Sequence, residues 1–508
     1  MASADVLVAA KGTKVTGSRL AVSSQLPHAV EAFYGIPYAR VPRRFAAAET
    51  IALDGAGDID ARRQAPEQPQ AEAAPHQMQE DLLRLNVFRL AAQQDQTRPK
   101  TPAPVVVYMH GGCFNFGSPL DREWPSFLAQ GGREVLVVTP GYRLGPLGFL
   151  AGQSEQANLG LADQRLAVEW TVAWIGVFGG NGADLTLMGW SAGAHSIGHH
   201  LLSPSPLPFT RAILESGSPT SRSVMSSSHS RVVSQQASFA AHAAALSGST
   251  ASLAALPLGP LLRASSAVWE ENEAALTWPF QPVVDPRCAT LPASPLRLWH
   301  ALLHSSRPRN LSVLTGFCSN EGTAFVPPDT TLRHFFSSLL PDLASTHLRG
   351  LEALYACVAP DDRLAAAYGD YAYKAPVLHT AHMLSLAGGR VYLYEHAVAP
   401  GFHGGQLPLV AASVEAPGQR RIAQAMNSRW AAFAAGQPLD WPVFQSPFTG
   451  AGLGELLVFG HGNDEALGGD NEGVPVGSRC LTAREMQICR FWWEHMDLSH
   501  GKGLRAGL

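Results

Sequence analysis

The feature of this sequence that most constrains its fold is a small-residue turn between an apolar run and a helix-forming segment. Gly189-Trp190-Ser191-Ala192-Gly193 follows the apolar run at 185–188 and leads into residues 192–202, which have a helical composition. A strand that turns sharply into a helix at a G-x-S-x-G sequence exposes its serine and points the helix amides at it. The flanking glycines let neighbouring backbone approach closely. The sequence therefore predicts a nucleophile elbow centred on Ser191.

Apolar runs and helical patterns alternate along most of the chain. The runs with the length of buried strands include residues 105–109, 135–139, 185–188 and 311–316. Such alternation predicts a largely parallel sheet with helices on both faces. With no internal repeat and no long linker in 508 residues, we expect one enlarged α/β domain. Its expected parts are a hairpin region at about 1–100, a core at about 101–220 and 300–500, and a helical insertion at about 220–300.

The first part of the chain has the pattern of a hairpin-rich opening. Residues 6–10 and 20–24 are predicted to be short strands separated by glycine. Residues 61–79 are rich in Pro, Gln, Ala and Glu and are predicted to form a loop. Further along, residues 220–275 are rich in Ser and Ala, and we expect them to form helices above the sheet.

Charge and composition argue against several classes of function. The chain has 37 Lys and Arg against 41 Asp and Glu, with no long basic run, so we expect no nucleic-acid partner. No stretch has the length of a membrane helix, and the N-terminus has no basic start followed by an apolar run. We therefore predict a cytoplasmic protein that does not associate with membranes. The six scattered cysteines are expected to be reduced and mostly buried.

A second glycine-rich turn, His110-Gly111-Gly112-Cys113-Phe114, follows its own apolar run upstream of the elbow. Backbone N–H groups of such a loop, together with that of the residue after the nucleophile, can stabilise the oxyanion formed in acyl transfer. The predicted donors are Gly112, Cys113 and Ala192. Cys113 would act through its backbone N–H, so its thiol need not be reactive.

Further short segments accompany these two motifs in a fixed order through most of the chain. They are Phe33-Tyr34-Gly35-Ile36-Pro37-Tyr38-Ala39, Arg44-Phe45, residues 80–87, residues 142–145 and 148–150, residues 158–161, Asp163-Gln164, residues 178–180, Glu215-Ser216-Gly217-Ser218 and residues 430–442. Each segment is weak alone, but the ordered set is specific. It resembles the type-B carboxylesterase and cholinesterase-like family of serine esterases.

The resemblance implies an α/β-hydrolase fold, in which large helical insertions form the roof of the pocket. It also implies a Ser-Glu-His triad, with Glu321 as the acid in the segment 316–322 and His403 as the base in the segment 403–408. His403 would take the proton from Ser191 and return it to the leaving alcohol, while Glu321 would orient the imidazole. No metal or organic cofactor is needed for this chemistry.

Other residues compete for these roles. His461 also precedes a glycine in a late loop and is the main alternative to His403 as the base. Asp285 is an alternative acid, although its segment resembles one that lines the pocket in the family. Of the histidines close to the two motifs, His110 is expected to be structural. His195, His199 and His200 are expected to pack or to face solvent.

The family resemblance also implies two ion pairs in the core architecture. One joins Arg44 to Glu80, and the other joins Arg143 to Asp163. Because these pairs would support the fold rather than the chemistry, Arg143→Ala should lower expression or the melting temperature more than it lowers the turnover of folded enzyme.

Three features depart from the family pattern. Secreted members commonly have a Cys at the position of Leu82, paired to an upstream Cys, but no cysteine precedes Cys113 here. Residues 53–79 contain no aromatic residue, which counts against choline esters, because cholinesterases stack a tryptophan from this region on the quaternary ammonium. Trp190 replaces a Glu that many members carry before the nucleophile. It could wall the pocket or support the elbow.

These observations favour hydrolysis of an apolar carboxylic ester, a lactone, or a xenobiotic or specialised-metabolite ester, through an acyl-enzyme on Ser191. The expected partner is the small-molecule substrate, and the oligomeric state is not predicted. Two alternatives stay open: a non-catalytic protein-binding member of the family, and a serine acyltransferase or cyclase. The residues expected to line the pocket are Phe114, Trp190, Trp278, Phe280 and Phe325. The last three could instead be plain core.

Overall fold

The apolar runs of the sequence form one fourteen-stranded sheet in the computed structural model, which describes residues 4–10, 12–71, 78–92, 101–152, 157–222, 224–249, 251–450 and 452–499. The strands are β1 (Ala4–Ala10), β2 (Thr13–Leu20), β3 (Val30–Arg40), β4 (Glu49–Thr50), β5 (Ile59–Asp60), β6 (Leu82–Leu90), β7 (Ala103–Met109), β8 (Leu136–Pro140), β9 (Gly180–Trp190), β10 (Arg211–Glu215), β11 (Ser312–Cys318), β12 (Arg390–His396), β13 (Glu455–His461) and β14 (Val474–Cys480).

Helices occupy every connection between consecutive strands from β7 to β13, and two more follow β14. They are α1 (Trp124–Gly131), α2 (Gly145–Phe149), α3 (Leu159–Trp174), α4 (Ala192–Leu202), α5 (Ser230–Ser247), α6 (Leu258–Glu273), α7 (Pro295–Leu303), α8 (Leu332–Leu339), α9 (Ser345–Leu354), α10 (Arg363–Gly369), α11 (Ala375–Leu386), α12 (Leu407–Val410), α13 (Pro417–Ala434), α14 (Ala483–Glu494) and α15 (Met496–Ser499). A π-helical turn, Asp370–Lys374, joins α10 to α11. Within the described chain, no helix is both long enough and apolar enough to cross a membrane.

The sheet has a parallel centre and antiparallel margins. Its order is β1-β2-β3-β6-β8-β7-β9-β10-β11-β12-β13-β14, with β4 and β5 paired to β3 and β2. Each neighbouring pair from β8 to β13 is parallel, whereas the outer pairs along this order are antiparallel. The prediction of a mostly parallel sheet is confirmed. In such sheets, sites form at the carboxyl ends of the parallel strands, and Ser191 directly follows β9.

Alternate residues of the central strands face two different layers of helices. Val105 and Val107 of β7 pack in one buried cluster that includes apolar residues of α3, α4, α7 and α11. Val106 and Tyr108 pack in a second cluster with residues of α1 and α13. Helices therefore cover both faces of the sheet, and the apolar runs reflect strands that are buried on both sides.

The predicted helices of residues 220–275 are present as α5 and α6. Phe239 of α5 and Val268 of α6 lie in a third apolar cluster with Phe114, Phe149 and Phe280. Phe114 belongs to the glycine-rich turn after β7. This helical insertion is therefore packed against the loop that carries two of the predicted oxyanion donors.

The prediction of a second N-terminal strand at residues 20–24 was wrong. The strand spans Thr13–Leu20 and ends where the prediction for residues 20–24 begins. Glycine was expected to separate strands here, but Gly17 lies inside β2. A Cβ atom on Gly17 would come within 2.5 Å of the Phe33 ring. Glycine at this position therefore permits close approach of the neighbouring strand rather than a turn.

Both ion pairs implied by the family resemblance are present. Arg143 donates from Nε and Nη2 to the two carboxylate oxygens of Asp163, at 2.8 and 2.6 Å, and both side chains are buried. Arg44 pairs with Glu80 at 2.5 Å and also donates to the Leu256 carbonyl at 2.6 Å. Arg44 thereby connects the N-terminal part of the chain to the segment before α6.

All six cysteines are free, as expected, but they are not mostly buried. Three are buried, Cys288, Cys318 and Cys489. Cys113 is half-buried, and Cys357 and Cys480 are exposed.

Candidate active site

Ser191 lies at the sharp turn between β9 and α4, the strand–turn–helix arrangement that the sequence predicts. Its backbone has φ 50° and ψ −124°, an unfavourable conformation for a residue with a side chain, with a cost on the order of 1–3 kcal/mol. Its N–H donates to the Glu215 carbonyl at 2.9 Å, which anchors the turn to β10. A Cβ atom on Gly193 would lie 1.9 Å from the Met109 carbonyl oxygen. Only glycine can therefore occupy that position.

A carboxylate and an imidazole meet at the carboxyl ends of β11 and β12. Glu321 is 1% exposed, and one of its oxygens accepts a hydrogen bond from the Cys318 backbone N–H at 2.7 Å. The other accepts from His403 Nδ1 at 2.6 Å. His403 Nε2 is buried and has no hydrogen-bond partner among the described residues. A carboxylate that holds Nδ1–H in this way leaves Nε2 able to accept a proton.

Aromatic rings enclose the His403 imidazole. Tyr373, Phe325 and Trp190 have ring centroids 4.4, 5.1 and 5.3 Å from that of His403. Trp190 immediately precedes Ser191, so its contact with His403 brings the imidazole beside the elbow. Tyr373 comes from the π-helical turn, a feature that is frequent at functional sites. Tyr373 was not predicted as a site residue, because nothing in its helical segment marks the extra residue of a π turn.

The competing residues have other surroundings. His461 is exposed at the end of β13. Asp285 accepts hydrogen bonds from Arg287 at 2.9 Å and from the Ala157 backbone N–H at 3.0 Å. The four histidines close to the motifs are all buried, so His195, His199 and His200 do not face solvent, and His110 stacks on a tyrosine ring at 4.4 Å. Of the histidines considered, the structure pairs only His403 with Glu321.

The loop after β7 has three consecutive residues in left-handed conformations. The φ values of Gly112, Cys113 and Phe114 are 105°, 55° and 64°. Within the described chain, no acceptor is found for the backbone N–H groups of Gly112 and Cys113. Ala192 is the first residue of α4, where the N–H has no intrahelical acceptor. The three predicted donors are therefore available to an incoming oxygen atom.

Two amide side chains that the sequence analysis missed hold this loop in place. The Cys113 carbonyl accepts hydrogen bonds from Asn115 Nδ2 at 2.9 Å and from Gln281 Nε2 at 2.8 Å. Asn115 also donates to the Pro279 carbonyl at 3.0 Å. These bonds fix the orientation of the Cys113 peptide, and they tie the loop to the segment after α6. No sequence motif marks either residue.

Trp190 connects three loops around the elbow. Its indole N–H donates to Asp121 at 2.7 Å. Its ring packs closely against Gly111 and Gly404. Cβ atoms at those two positions would lie 2.5 and 3.0 Å from ring atoms. Trp190, whose role the sequence left open, therefore packs between the glycine-rich loop and the His403 segment and supports both.

Burial keeps several side chains near the elbow neutral. It raises the pKa of the Cys113 thiol to about 11, against the opposing charge of Arg222. Burial and the Arg222 charge together hold the pKa of His195 well below its usual value. Burial also lowers the pKa of His110. Within the described residues, no cluster of His, Cys, Asp and Glu is suited to hold a metal ion.

The expected pocket residues lie in connected positions. Trp278 and Phe280 line a cavity under the helical insertion. Phe325 bridges this cavity and the imidazole, with its ring centroid 5.5 Å from Trp278 and 5.1 Å from His403. Phe114 is buried against Phe149 at 5.1 Å.

A mostly parallel sheet with a serine elbow after one of its central strands defines the α/β-hydrolase fold. A solved structure named PNB esterase has this fold and is similar to the chain, with a TM-score of 0.73 and 26% sequence identity, over 95% of this chain and 99% of that one. The model of the Carboxylesterase family matches residues 4–353. The chain belongs to the carboxylesterase family, and it is a carboxylesterase.

Curated relatives agree with this assignment. Secreted lipase 4 of Gibberella zeae is 31% identical over 399 residues, which cover 72% of this chain and 70% of the lipase. Acetylcholinesterase of Danio rerio is 41% identical over 43% of this chain, and Esterase B1 of Culex pipiens is 36% identical over 37% of it. The matched regions cover 36% and 35% of those two proteins.

Proposed function

We propose that the chain hydrolyses carboxylic esters through an acyl-enzyme on Ser191, with His403 as the general base and Glu321 as the residue that orients it. The observation that carries this proposal is the buried hydrogen bond of 2.6 Å between Glu321 and His403 Nδ1, beside a serine held in an elbow. It leaves Nε2 as the nitrogen that can take a proton.

The reaction follows from these positions. His403 Nε2 accepts the hydroxyl proton as Ser191 attacks the ester carbonyl carbon, and the charge on the resulting imidazolium is balanced by Glu321. The tetrahedral oxyanion is stabilised by the N–H groups of Gly112, Cys113 and Ala192. His403 then gives the proton to the leaving alcohol. Water then gives up a proton to His403, attacks the carbonyl carbon of the acyl-enzyme and releases the acid and free Ser191.

The character of the pocket supports a largely apolar substrate. Trp278 and Phe280 line the cavity, and Phe325 lies between Trp278 and the imidazole. An apolar acyl or alcohol part would bury its surface against them. A lactone or a xenobiotic or specialised-metabolite ester fits the same surface.

A set of single substitutions tests the triad. We expect Ser191→Ala and His403→Ala each to lower kcat for p-nitrophenyl butyrate by about 10⁶-fold, and Glu321→Gln by about 10⁴-fold. His461→Ala is the matched control, since it removes the alternative histidine, and it should stay within threefold of wild type. If His461→Ala abolishes turnover and His403→Ala does not, the assignment of the base is wrong.

A further inference from the structure

The cavity beside the candidate active site has an unusual balance of charge. Two arginines, Arg222 and Arg231, are part of its lining, together with Trp278, Phe280 and Tyr368. Among the described residues that line it there is no Asp or Glu, although the whole chain has a net charge of −4. The cavity is therefore positive in a protein that is negative overall.

Arg222 is a half-buried cation without a carboxylate partner in the described chain. Its guanidinium carbon lies 3.2 Å from the centroid of the Trp278 ring. Its only hydrogen bond there is donated by Nη2 to the Leu276 carbonyl, at 3.2 Å. A guanidinium has five N–H donors, so most of them have no acceptor among the described residues. A partly desolvated guanidinium with spare donors is well suited to bind an anion.

Neighbouring groups in the cavity are donors as well. The Tyr368 hydroxyl and the Trp278 indole N–H are buried and have no hydrogen-bond partner within the described residues. Arg231 donates to the backbone carbonyls of Ser338 and Leu339. Hydrogen-bond donors therefore converge on one cavity that contains no protein anion in its described lining.

The position of Arg222 suits one end of an extended substrate. It stacks on Trp278, which contacts Phe325 at 5.5 Å, and Phe325 contacts the His403 imidazole at 5.1 Å. Two aromatic rings thus separate the cation from the candidate base. An ester bound at Ser191 would bring a second group to Arg222 through an apolar chain that follows these rings.

We propose that this cavity binds a carboxylate carried by the substrate at the end remote from the scissile ester, so that the enzyme prefers hemiesters of dicarboxylic acids and similar anionic esters. Arg222 is the main specificity-determining residue, and the Tyr368 hydroxyl and Trp278 N–H supply further donors. This inference rests on the proposed esterase function. The bond that is broken is the ester bond at Ser191, and the carboxylate at Arg222 is unchanged by the reaction.

The test compares anionic and neutral esters of matched chain length. The probes are mono-p-nitrophenyl esters of glutaric, adipic and suberic acids against p-nitrophenyl pentanoate, hexanoate and octanoate. A second pair, p-carboxyphenyl and phenyl hexanoate, places the charge on the alcohol side. For the anionic probe that wild type prefers, Arg222→Leu should lower kcat/KM by about 10- to 100-fold, because a hydrogen bond to a charged group is lost. The value of kcat/KM for the neutral probe should change by less than threefold.

Two further variants control for charge and for folding. Arg263→Leu removes the same charge from the exposed face of α6 and should leave the preference intact. Arg222→Lys keeps the charge and should retain part of the preference for the anionic probe. It can therefore be used for the test if Arg222→Leu is unstable. The preference of wild type should also decrease as salt is raised.

The outcomes separate this inference from the esterase proposal. If wild type hydrolyses the neutral esters but prefers no anionic probe, or if Arg222→Leu affects both kinds of probe equally, the carboxylate site is refuted and the esterase stands. If folded wild type hydrolyses no ester, the esterase proposal fails. The carboxylate site can then be tested without turnover, by calorimetric binding of mono-p-nitrophenyl suberate to Ser191→Ala. Binding should be lost in the double variant Ser191→Ala with Arg222→Leu.

Discussion

At the scale of single residues, Trp190 shows how a departure from a family pattern can be explained by packing. It donates a hydrogen bond to Asp121 and covers Gly111 and Gly404. It also contacts the His403 ring. A glutamate at this position would place a charge against two glycine backbones and an imidazole. The structure therefore favours the second of the two roles that the sequence left open, support of the elbow.

Trp190→Phe separates that role from a role in the pocket. The phenyl ring keeps most of the packing but loses the hydrogen bond to Asp121, so the free energy of unfolding should fall by about 1.5–3 kcal/mol. We expect kcat on short esters to change by less than tenfold. Urea unfolding and steady-state kinetics measure the two effects. A fall in kcat of more than a hundredfold with unchanged stability would show that Trp190 acts on the substrate instead.

Residue-scale prediction from the sequence succeeded where a motif marks the residue. Ser191 and the glycine-rich loop were found in this way, and the resemblance supplied Glu321 and His403, which the structure places in hydrogen-bond contact. Their catalytic roles, the division into parts and the cytoplasmic location stay predictions. Arg222 was missed because its significance depends on the absence of a carboxylate around it, which only the folded chain shows.

At the scale of structural elements, a buried ion pair connects the sheet to the helices beneath the elbow. Arg122, just before α1, pairs with Glu215 at the end of β10, and both side chains are fully buried. Glu215 also accepts from the Trp430 indole N–H of α13 at 2.8 Å. Since the Glu215 carbonyl accepts the Ser191 N–H, this cluster also holds the strand end on which the elbow depends.

Arg122→Met should therefore be strongly destabilising. It leaves Glu215 buried without its cation, and we expect the free energy of unfolding to fall by about 3–5 kcal/mol. The double variant Arg122→Met with Glu215→Leu should recover part of this loss, because no charge is then buried. The exposed pair of Arg40 and Glu49 provides the control, and Arg40→Met should cost less than about 1 kcal/mol. Equal costs for the two arginines would contradict this account.

Element boundaries were predictable where hydrophobic pattern alone decides them. The central strands are buried on both faces, so their apolar runs stand out, and the helices between them have clear spacing. The pattern failed at β2, because Gly17 serves close packing against Phe33 and not a turn. It also gave no sign of the π-helical turn Asp370–Lys374. A single extra residue hardly changes helical periodicity, although it positions Tyr373 against the imidazole.

At the scale of the whole molecule, buried neutral histidines make the stability depend on pH. Burial lowers the pKa of His200 to about 3 and the pKa of His382 to about 4. It also lowers the pKa of His396 to about 4, against the opposing charge of Glu321. In the unfolded chain these groups titrate near 6.5. Between pH 6.5 and 4 the unfolded state therefore binds more protons than the folded state.

The free energy of unfolding should consequently fall as the pH decreases from about 6.5 to 4, with each of these histidines adding about 1.4 kcal/mol per pH unit at most. Urea unfolding at pH 7.5, 6.5, 5.5 and 4.5 measures the slope. His382→Gln should reduce it, since this histidine lies outside the proposed triad and its pKa is lowered by burial alone. A stability that is constant or rises on acidification in this range would refute the prediction.

Formation of an acyl-enzyme on Ser191 can be followed by pre-steady-state release of p-nitrophenol from p-nitrophenyl butyrate, with the intact mass of the quenched protein measured in parallel. We expect a burst of one product molecule per active enzyme and a butyryl adduct on the peptide that contains Ser191, both absent from Ser191→Ala. Full turnover by folded Ser191→Ala, or an adduct on another residue, would contradict this expectation.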